Sequence, residues 1–176
     1  ISCVPSVPPL APDPVKVHLS SGFGYRTDPV YGGGENHGGQ DFATSIGTPV
    51  YSTGDGVVVQ AEYKSNGYGN QIVIDHGYGY QTRYAHLSVI SVVAGMQVKR
   101  GELIGKVGNT GKSTGPHLHY EVVYRGNRVN PMNYMDFKMP LEEFLSMTEQ
   151  RREESPISKR SSTMELLRRS RRNTDG

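Results

Sequence analysis

Tryptophan is absent from this chain of 176 residues, phenylalanine occurs only four times, and there is one cysteine, Cys3. A single thiol cannot close an intramolecular disulfide, so cysteine usage does not assign the chain to a compartment. Nor can it build a cysteine-rich structural metal site. No apolar run of about 18 residues occurs, and there is no signal-peptide pattern. Any export signal or membrane anchor is therefore expected in a segment outside this chain. Ile1-Ser2-Cys3 is faintly similar to the end of a lipoprotein processing site, but no apolar stretch precedes it, and the thiol is read as incidental. Charge of one sign is also scarce. The formal net charge is +2, which argues against nucleic-acid binding as the main task. Residues 1–136 carry ten Lys/Arg and ten Asp/Glu, so the excess lies in the tail.

Glycine, proline and tyrosine are plentiful, at 22, 11 and 11 residues. They suit a turn-rich, all-β domain, and the strict three-residue period of collagen is missing. Residues 1–19 hold Pro5, Pro8, Pro9, Pro12 and Pro14 and read as an extended, proline-rich linker. Residues 20–136 read as the main domain. Short β-branched and aromatic runs predict strands at Pro49–Ser52, Gly56–Tyr63, Asn70–Asp75, Tyr80–His86, Glu102–Val107 and His117–Tyr124. Asp55-Gly56, Asn66-Gly67, His76-Gly77 and Arg125-Gly126-Asn127 supply tight turns between them. The spacing predicts an antiparallel sheet or small open barrel, with glycine-rich loops forming a groove and nothing helical before Met139. Residues 137–176 read as a short helical, then basic, solvated tail. Pro140 with Glu142 and Glu143 marks a helix start, Leu141, Phe144 and Leu145 share a face, and Ser162 with Glu165 forms a second capping box.

The chemistry-bearing residues are histidines and one aspartate. In a strand, residues i and i+2 project to one side, so His117 and His119 of His117-Leu118-His119 present two imidazoles to one face. His37-Gly38-Gly39-Gln40-Asp41 adds an imidazole and a carboxylate, and His86 in Tyr84-Ala85-His86-Leu87 adds a further imidazole. Three N/O ligands with an open fourth position are what a catalytic zinc ion requires. Such an ion polarises a carbonyl and lowers the pKa of bound water to about 7. Gly38 and Gly39 exclude a helical HExxH arrangement and suit a bend onto a following strand. Gly32-Gly33-Gly34 is not a phosphate loop, since no Lys-Ser/Thr and helix follow. His18 and His76 receive no role.

These motifs closely resemble the lysostaphin-type peptidoglycan zinc metalloendopeptidases. The likeness extends to Ser21-Gly22-Phe23-Gly24-Tyr25-Arg26, Gly47-Thr48-Pro49-Val50-Tyr51, Gly67-Tyr68-Gly69-Asn70 and Gly111-Lys112-Ser113-Thr114-Gly115-Pro116. It runs from about Ser20 to Tyr134 and leaves the last forty residues unaddressed. The resemblance implies His37, Asp41 and His119 as zinc ligands. One carboxylate with two neutral imidazoles leaves the metal net positive, so it still activates water. His86 and His117 are then catalytic groups, able to take a proton from the attacking water or to hydrogen-bond the oxyanion; which does which stays open. Tyr31 is a further oxyanion candidate, and Asn70 a groove candidate.

The expected activity is hydrolysis of peptide cross-links of bacterial peptidoglycan. The D-alanyl to diamino acid bond is favoured over glycyl-glycine, because the surrounding wording looks closest to Gram-negative envelope members. The expected location is the cell envelope, in the periplasm. Lys64, Arg83 and Lys112 are positioned in sequence to meet an acidic stem peptide. The alternative is a non-catalytic peptidoglycan-binding regulator of another hydrolase, although such relatives usually lack a metal ligand. Val98–Gly105 also resembles lipoyl, biotinyl and sugar phosphocarrier turns. The modified lysine of the first two is missing, and the HxGxD motif is foreign to the third.

Overall fold

The computed structural model describes residues 2–27 and 34–154. Among them, ten strands form one open antiparallel sheet in the order β1 (His18–Ser21), β4 (Gln40–Ala43), β11 (His117–Tyr124), β8 (Tyr80–Ile90), β7 (Asn70–Gly77), β6 (Gly56–Glu62) and β9 (Gln97–Val98). Off this path, β12 (Asn127–Val129) pairs with β11, and β10 (Leu103–Val107) pairs with both β8 and β5 (Pro49–Tyr51). A separate hairpin joins β2 (Gly24–Thr27) to β3 (Gly34–His37). The sheet is open rather than closed into a barrel. A short 3-10 turn at Pro131–Asn133 precedes Met139, where no helical structure is expected from the sequence.

Period-two patterning sorts each central strand between two faces. Leu118, Tyr120 and Val122 of β11 join Ile72 and Ile74 of β7, Tyr84 of β8 and Phe42 of β4 in the core. The facing residues His117, His119 and Glu121 are left on the opposite side of β11. A chain of hydroxyls crosses the core, because buried polar groups must find partners. Thr53 Oγ1 lies 2.8 Å from the Tyr120 hydroxyl and 3.1 Å from that of Tyr84, which accepts from Thr82 Oγ1 at 3.0 Å. His76 caps the chain, 2.7 Å from Thr82 Oγ1 and with its other ring nitrogen donating to Asp55 O at 2.8 Å.

Strand β8 changes neighbours along its length. Residues Tyr80–Ala85 pair with β11, whereas Leu87–Ile90 pair with β10. The switch falls at His86, whose φ of +61° is costly for a residue with a Cβ. The backbone turns there, and its N–H is held by Tyr68 O at 2.8 Å.

Both flanking segments pack on the body, and the helix expected after Pro140 is present. The proline-rich stretch, expected as an extended linker, carries buried residues. Leu10, Val7 and Val17 are buried, Ser6 N donates to Thr53 O, and Tyr51 N donates to Pro9 O. Prolines lack a donor but still bury carbon surface and accept through their carbonyls, which is how this stretch edges the sheet. The helix α1 (Leu141–Glu154) likewise docks on the body. Phe144 is fully buried against Tyr51, ring centroids 5.4 Å apart. Arg151 Nε donates to Arg100 O at 3.1 Å. Leu141 is only half-buried and Leu145 is exposed, so Phe144 is the anchor of that face. The capping box at Ser162 and Glu165 lies outside the described residues. No helix among the described residues is long and apolar enough to cross a membrane.

Candidate active site

His37 ends β3, and two glycines turn the chain into β4, which carries Asp41. β4 then pairs with β11 so that His119 lies opposite Asp41. The turn runs very close to β11. A Cβ on Gly39 would sit 2.4 Å from Tyr120 O and 3.0 Å from the side chains of Glu121 and His119. Only glycine fits this approach. The outcome is a group of ligand-capable atoms from His37, Asp41 and His119 within 4.8 Å of one another.

His37 has one ring nitrogen tied to a backbone oxygen, which leaves the other as a lone-pair donor in the neutral form, whereas His119 has both ring nitrogens against carboxylate oxygens. His37 Nδ1 donates to Gly22 O at 2.9 Å, and its Nε2 faces Asp41 Oδ2 at 3.3 Å. His119 hydrogen-bonds Glu121 Oε1 through Nε2 at 3.0 Å and Asp41 Oδ1 through Nδ1 at 2.7 Å. Two ligands on a tetrahedral zinc with bonds of about 2.0–2.1 Å sit about 3.3 Å apart. The first pair already meets that spacing, and the second is short of it by about 0.6 Å. The donor set fits the ion.

Burial alone would raise the Asp41 carboxyl, but the hydrogen bond and charge of His119, then the charges of His37 and His117, outweigh it and hold the group below the usual carboxylate value. Burial likewise opposes charge on His119, yet its bonds to Asp41 and Glu121 push it up to about 9. Glu121 is only 2% exposed. Burial would raise it, and the His119 and Tyr68 hydrogen bonds prevail to hold it low.

His86 and His117 stand beside this group with ring centroids 4.7 Å apart. His86 Nδ1 lies 2.7 Å from Thr110 O, and His117 Nδ1 lies 2.8 Å from Gly115 O. A carbonyl can only accept, so both histidines give their Nδ1 proton to the backbone. In the neutral form each keeps Nε2 as an acceptor. Burial lowers the His86 pKa, against the Thr110 carbonyl and helped by repulsion from His117 and His119, which favours that neutral form.

The wall over these rings is two loops in close contact. A Cβ on Gly69 would fall 2.4 Å from the Thr110 carbonyl carbon, and one on Gly111 would fall 2.3 Å from Gly69 N. Together they bound a cleft of about 720 Å³ lined by His37, Asp41, Tyr68, His86, His117 and His119, among others.

Of the remaining sequence-predicted residues, Tyr31 lies outside the described residues. Asn70, expected to line the groove, does not. Its Oδ1 accepts from Lys64 N at 3.0 Å and its Nδ2 donates to Leu87 O at 2.9 Å, so the amide ties strands together behind the wall. Lys112 is exposed and lines the cleft. Lys64 pairs with Glu62 at 3.1 Å. Arg83 lies over the Tyr68 ring, 4.3 Å from its centroid. Sequence reading missed Glu121 and Tyr68, whose hydroxyl donates to Glu121 Oε1 at 2.7 Å. The same i, i+2 alternation that pairs His117 with His119 places Glu121 next on that face, and this signal was available. The Thr110 carbonyl leaves no side-chain signal.

An open antiparallel sheet with two imidazoles and a carboxylate gathered in a cleft, flanked by two further imidazoles, defines a metallopeptidase type of site. Residues 35–131 match the model of Peptidase family M23, over half of the chain, and the chain belongs to that family. The peptidoglycan DD-endopeptidase ShyA of Vibrio cholerae is 46% identical over 154 residues, covering 85% of this chain and 35% of its own length. The chain thus spans about a third of that relative. A zinc-containing peptidase from Vibrio cholerae, solved as a crystal structure, is similar with a TM-score of 0.65 and 45% identity, over 72% of this chain and 39% of that one. The catalytic domain of lysostaphin from Staphylococcus simulans is similar with a TM-score of 0.60 and 36% identity, over 69% of this chain and 92% of that one.

Proposed function

We propose that this chain is a zinc-dependent endopeptidase that hydrolyses peptide cross-links of bacterial peptidoglycan, with the D-alanyl to diamino acid bond favoured over glycyl-glycine. The observation that carries the reading is the complete ligand group, His37, Asp41 and His119, beside two histidines whose Nε2 atoms are kept as acceptors. Zinc, when bound by these three residues, supplies a Lewis acid for the scissile carbonyl and a more acidic water. His86 or His117 takes the proton of the attacking water at Nε2, and the resulting imidazolium can pass it to the leaving amine. The other ring stands 4.7 Å away, within reach of the same reacting group. The Thr110 and Gly115 carbonyls hold both rings in one tautomer throughout. The preference for the direct cross-link follows the naming of the ShyA relative as a DD-endopeptidase. It agrees with location in the cell envelope, in the periplasm, with any membrane anchor outside this chain. The non-catalytic regulator reading is not favoured, since the site retains every ligand.

The test is incubation with purified cross-linked muropeptides and with a pentaglycine peptide, each with and without a chelator. Chelator-sensitive conversion of dimers to monomers is expected. Cleavage of pentaglycine alone would reverse the substrate assignment, and binding of cell wall without cleavage by the zinc-loaded chain would favour the regulator.

A further inference from the structure

The two directions along β11 from the metal-ligand group differ in charge. Beside His117 a depression is lined by Asp41 with Ser20, Ser21, Thr114, Gly115 and Pro116, and holds no Lys or Arg. Beyond His119 stand Glu121, Arg83 and Arg128. These three are not equivalent. Glu121 Oε1 already accepts from His119 at 3.0 Å and from Tyr68 at 2.7 Å, which uses both of its lone pairs. Arg83 lays its guanidinium face on Tyr68 and keeps its Nε 3.9 Å from Glu121 Oε2. Arg128 comes no closer to Glu121 than 3.7 Å, beyond hydrogen-bond distance. Its side chain makes no hydrogen bond among the described residues and is 52% exposed. Yet it lies close against the turn that joins β3 to β4. A Cβ on Gly38 would fall 2.4 Å from its Nη1 and 2.8 Å from its Cδ and Cζ. The glycine beside the first ligand histidine therefore makes the room in which this guanidinium lies.

We infer that Arg128 is a substrate-binding residue, whose guanidinium takes a free carboxylate of an acidic peptide near the bond to be cut and so orients the peptide along the cleft. A planar fork with no hydrogen bond from its donors suits bidentate capture of a carboxylate. Lys112, the other cation of the cleft, is a point charge on an exposed stem, so the bidentate guanidinium directs the acidic arm to the Arg128 side of the metal ligands. This rests on the proposed function and deepens it. A purely structural role, balancing the buried Glu121, would affect all ligands alike.

The experiment uses the zinc-loaded chain and a stem peptide ending in its diamino acid, prepared as the free acid and as the amide at that carboxylate; neither has a cross-link left to cut. Calorimetry should give tighter binding of the acid by about tenfold or more, the size expected of a hydrogen bond to a charged group. Arg128→Gln should remove the difference while zinc stoichiometry stays unchanged, and Arg128→Lys should restore part of it. Equal affinities for wild type, no binding of either peptide at millimolar concentration, or a preference that survives Arg128→Gln would each overturn the inference. A wild-type chain that discriminates acid from amide yet cuts no cross-link would sink the peptidase reading alone.

Discussion

The two faces of β11 make opposite use of neighbouring residues. On one side Leu118, Tyr120 and Val122 are buried in the core, where Tyr120 is joined to Thr53 by its hydroxyl. On the other, the ring nitrogens of His117 and His119 face a partner or Asp41, and Glu121 Oε1 meets His119 and Tyr68. One face supplies stability and the other supplies chemistry, and a period of two keeps them apart. A slip of one residue in pairing would exchange them, which is why the register of His119 with Asp41 matters more than any single contact.

The separation can be broken most severely from the groove side. His37→Ala, Asp41→Ala and His119→Ala are each expected to strip zinc and abolish hydrolysis, because two ligands do not hold the ion at trace concentration. Zinc stoichiometry on the three variants checks this, and full occupancy in any one removes that residue from the ligand set. Next come His86→Ala and His117→Ala, expected to keep zinc while activity falls by about a hundredfold or more. Zinc loss from the His117 variant would mean that the two histidines of β11 have exchanged roles. From the core side, Leu118→Ala should cost about 2–5 kcal/mol of stability through the cavity it leaves. Metal stoichiometry of the folded protein should not change, and denaturant unfolding alongside metal analysis tests both halves.

The smallest effect concerns His76, beneath the core face. Burial lowers its pKa below the ordinary 6.5, outweighing the Asp55 carbonyl and the charges of Asp75 and Asp55. The unfolded chain accepts a proton near pH 6.5 that the folded chain resists. The resulting stability is present in full above pH 6.5 and is lost as pH falls through the depressed folded value. Melting temperatures of the zinc-loaded protein across pH 7.5 to 5.5 should decline more for wild type than for His76→Gln. Parallel slopes would remove His76 from the account.

Much of this was legible in the sequence. Glycine turns punctuated the strands, and the alternation of His117-Leu118-His119 announced both faces of β11. What escaped has physical causes. The proline-rich stretch carries Val7, Leu10 and Val17 too far apart to show a period, so its docking depends on a partner surface that no local pattern reveals. Phe144 buries against Tyr51, a residue of β5 far away in the chain, and the modest apolar content of the helix concealed it. Asn70 follows a glycine-rich loop of groove-like wording and opens β7, but its amide is claimed by backbone groups at Lys64 and Leu87. Arg128 is one charge in a turn-flanked strand until Gly38, ninety positions earlier, is seen to leave it space.

The pairing of Asp41 with His119 joins positions 78 residues apart. Contacts so distant in sequence are slow to form, because the intervening chain must be ordered before they are rewarded. Latency is therefore built into the topology. A partly synthesised or half-folded chain holds its histidines and aspartate without holding them together. The clustered site arrives only when the strand near the end of the domain reaches the strand near its start.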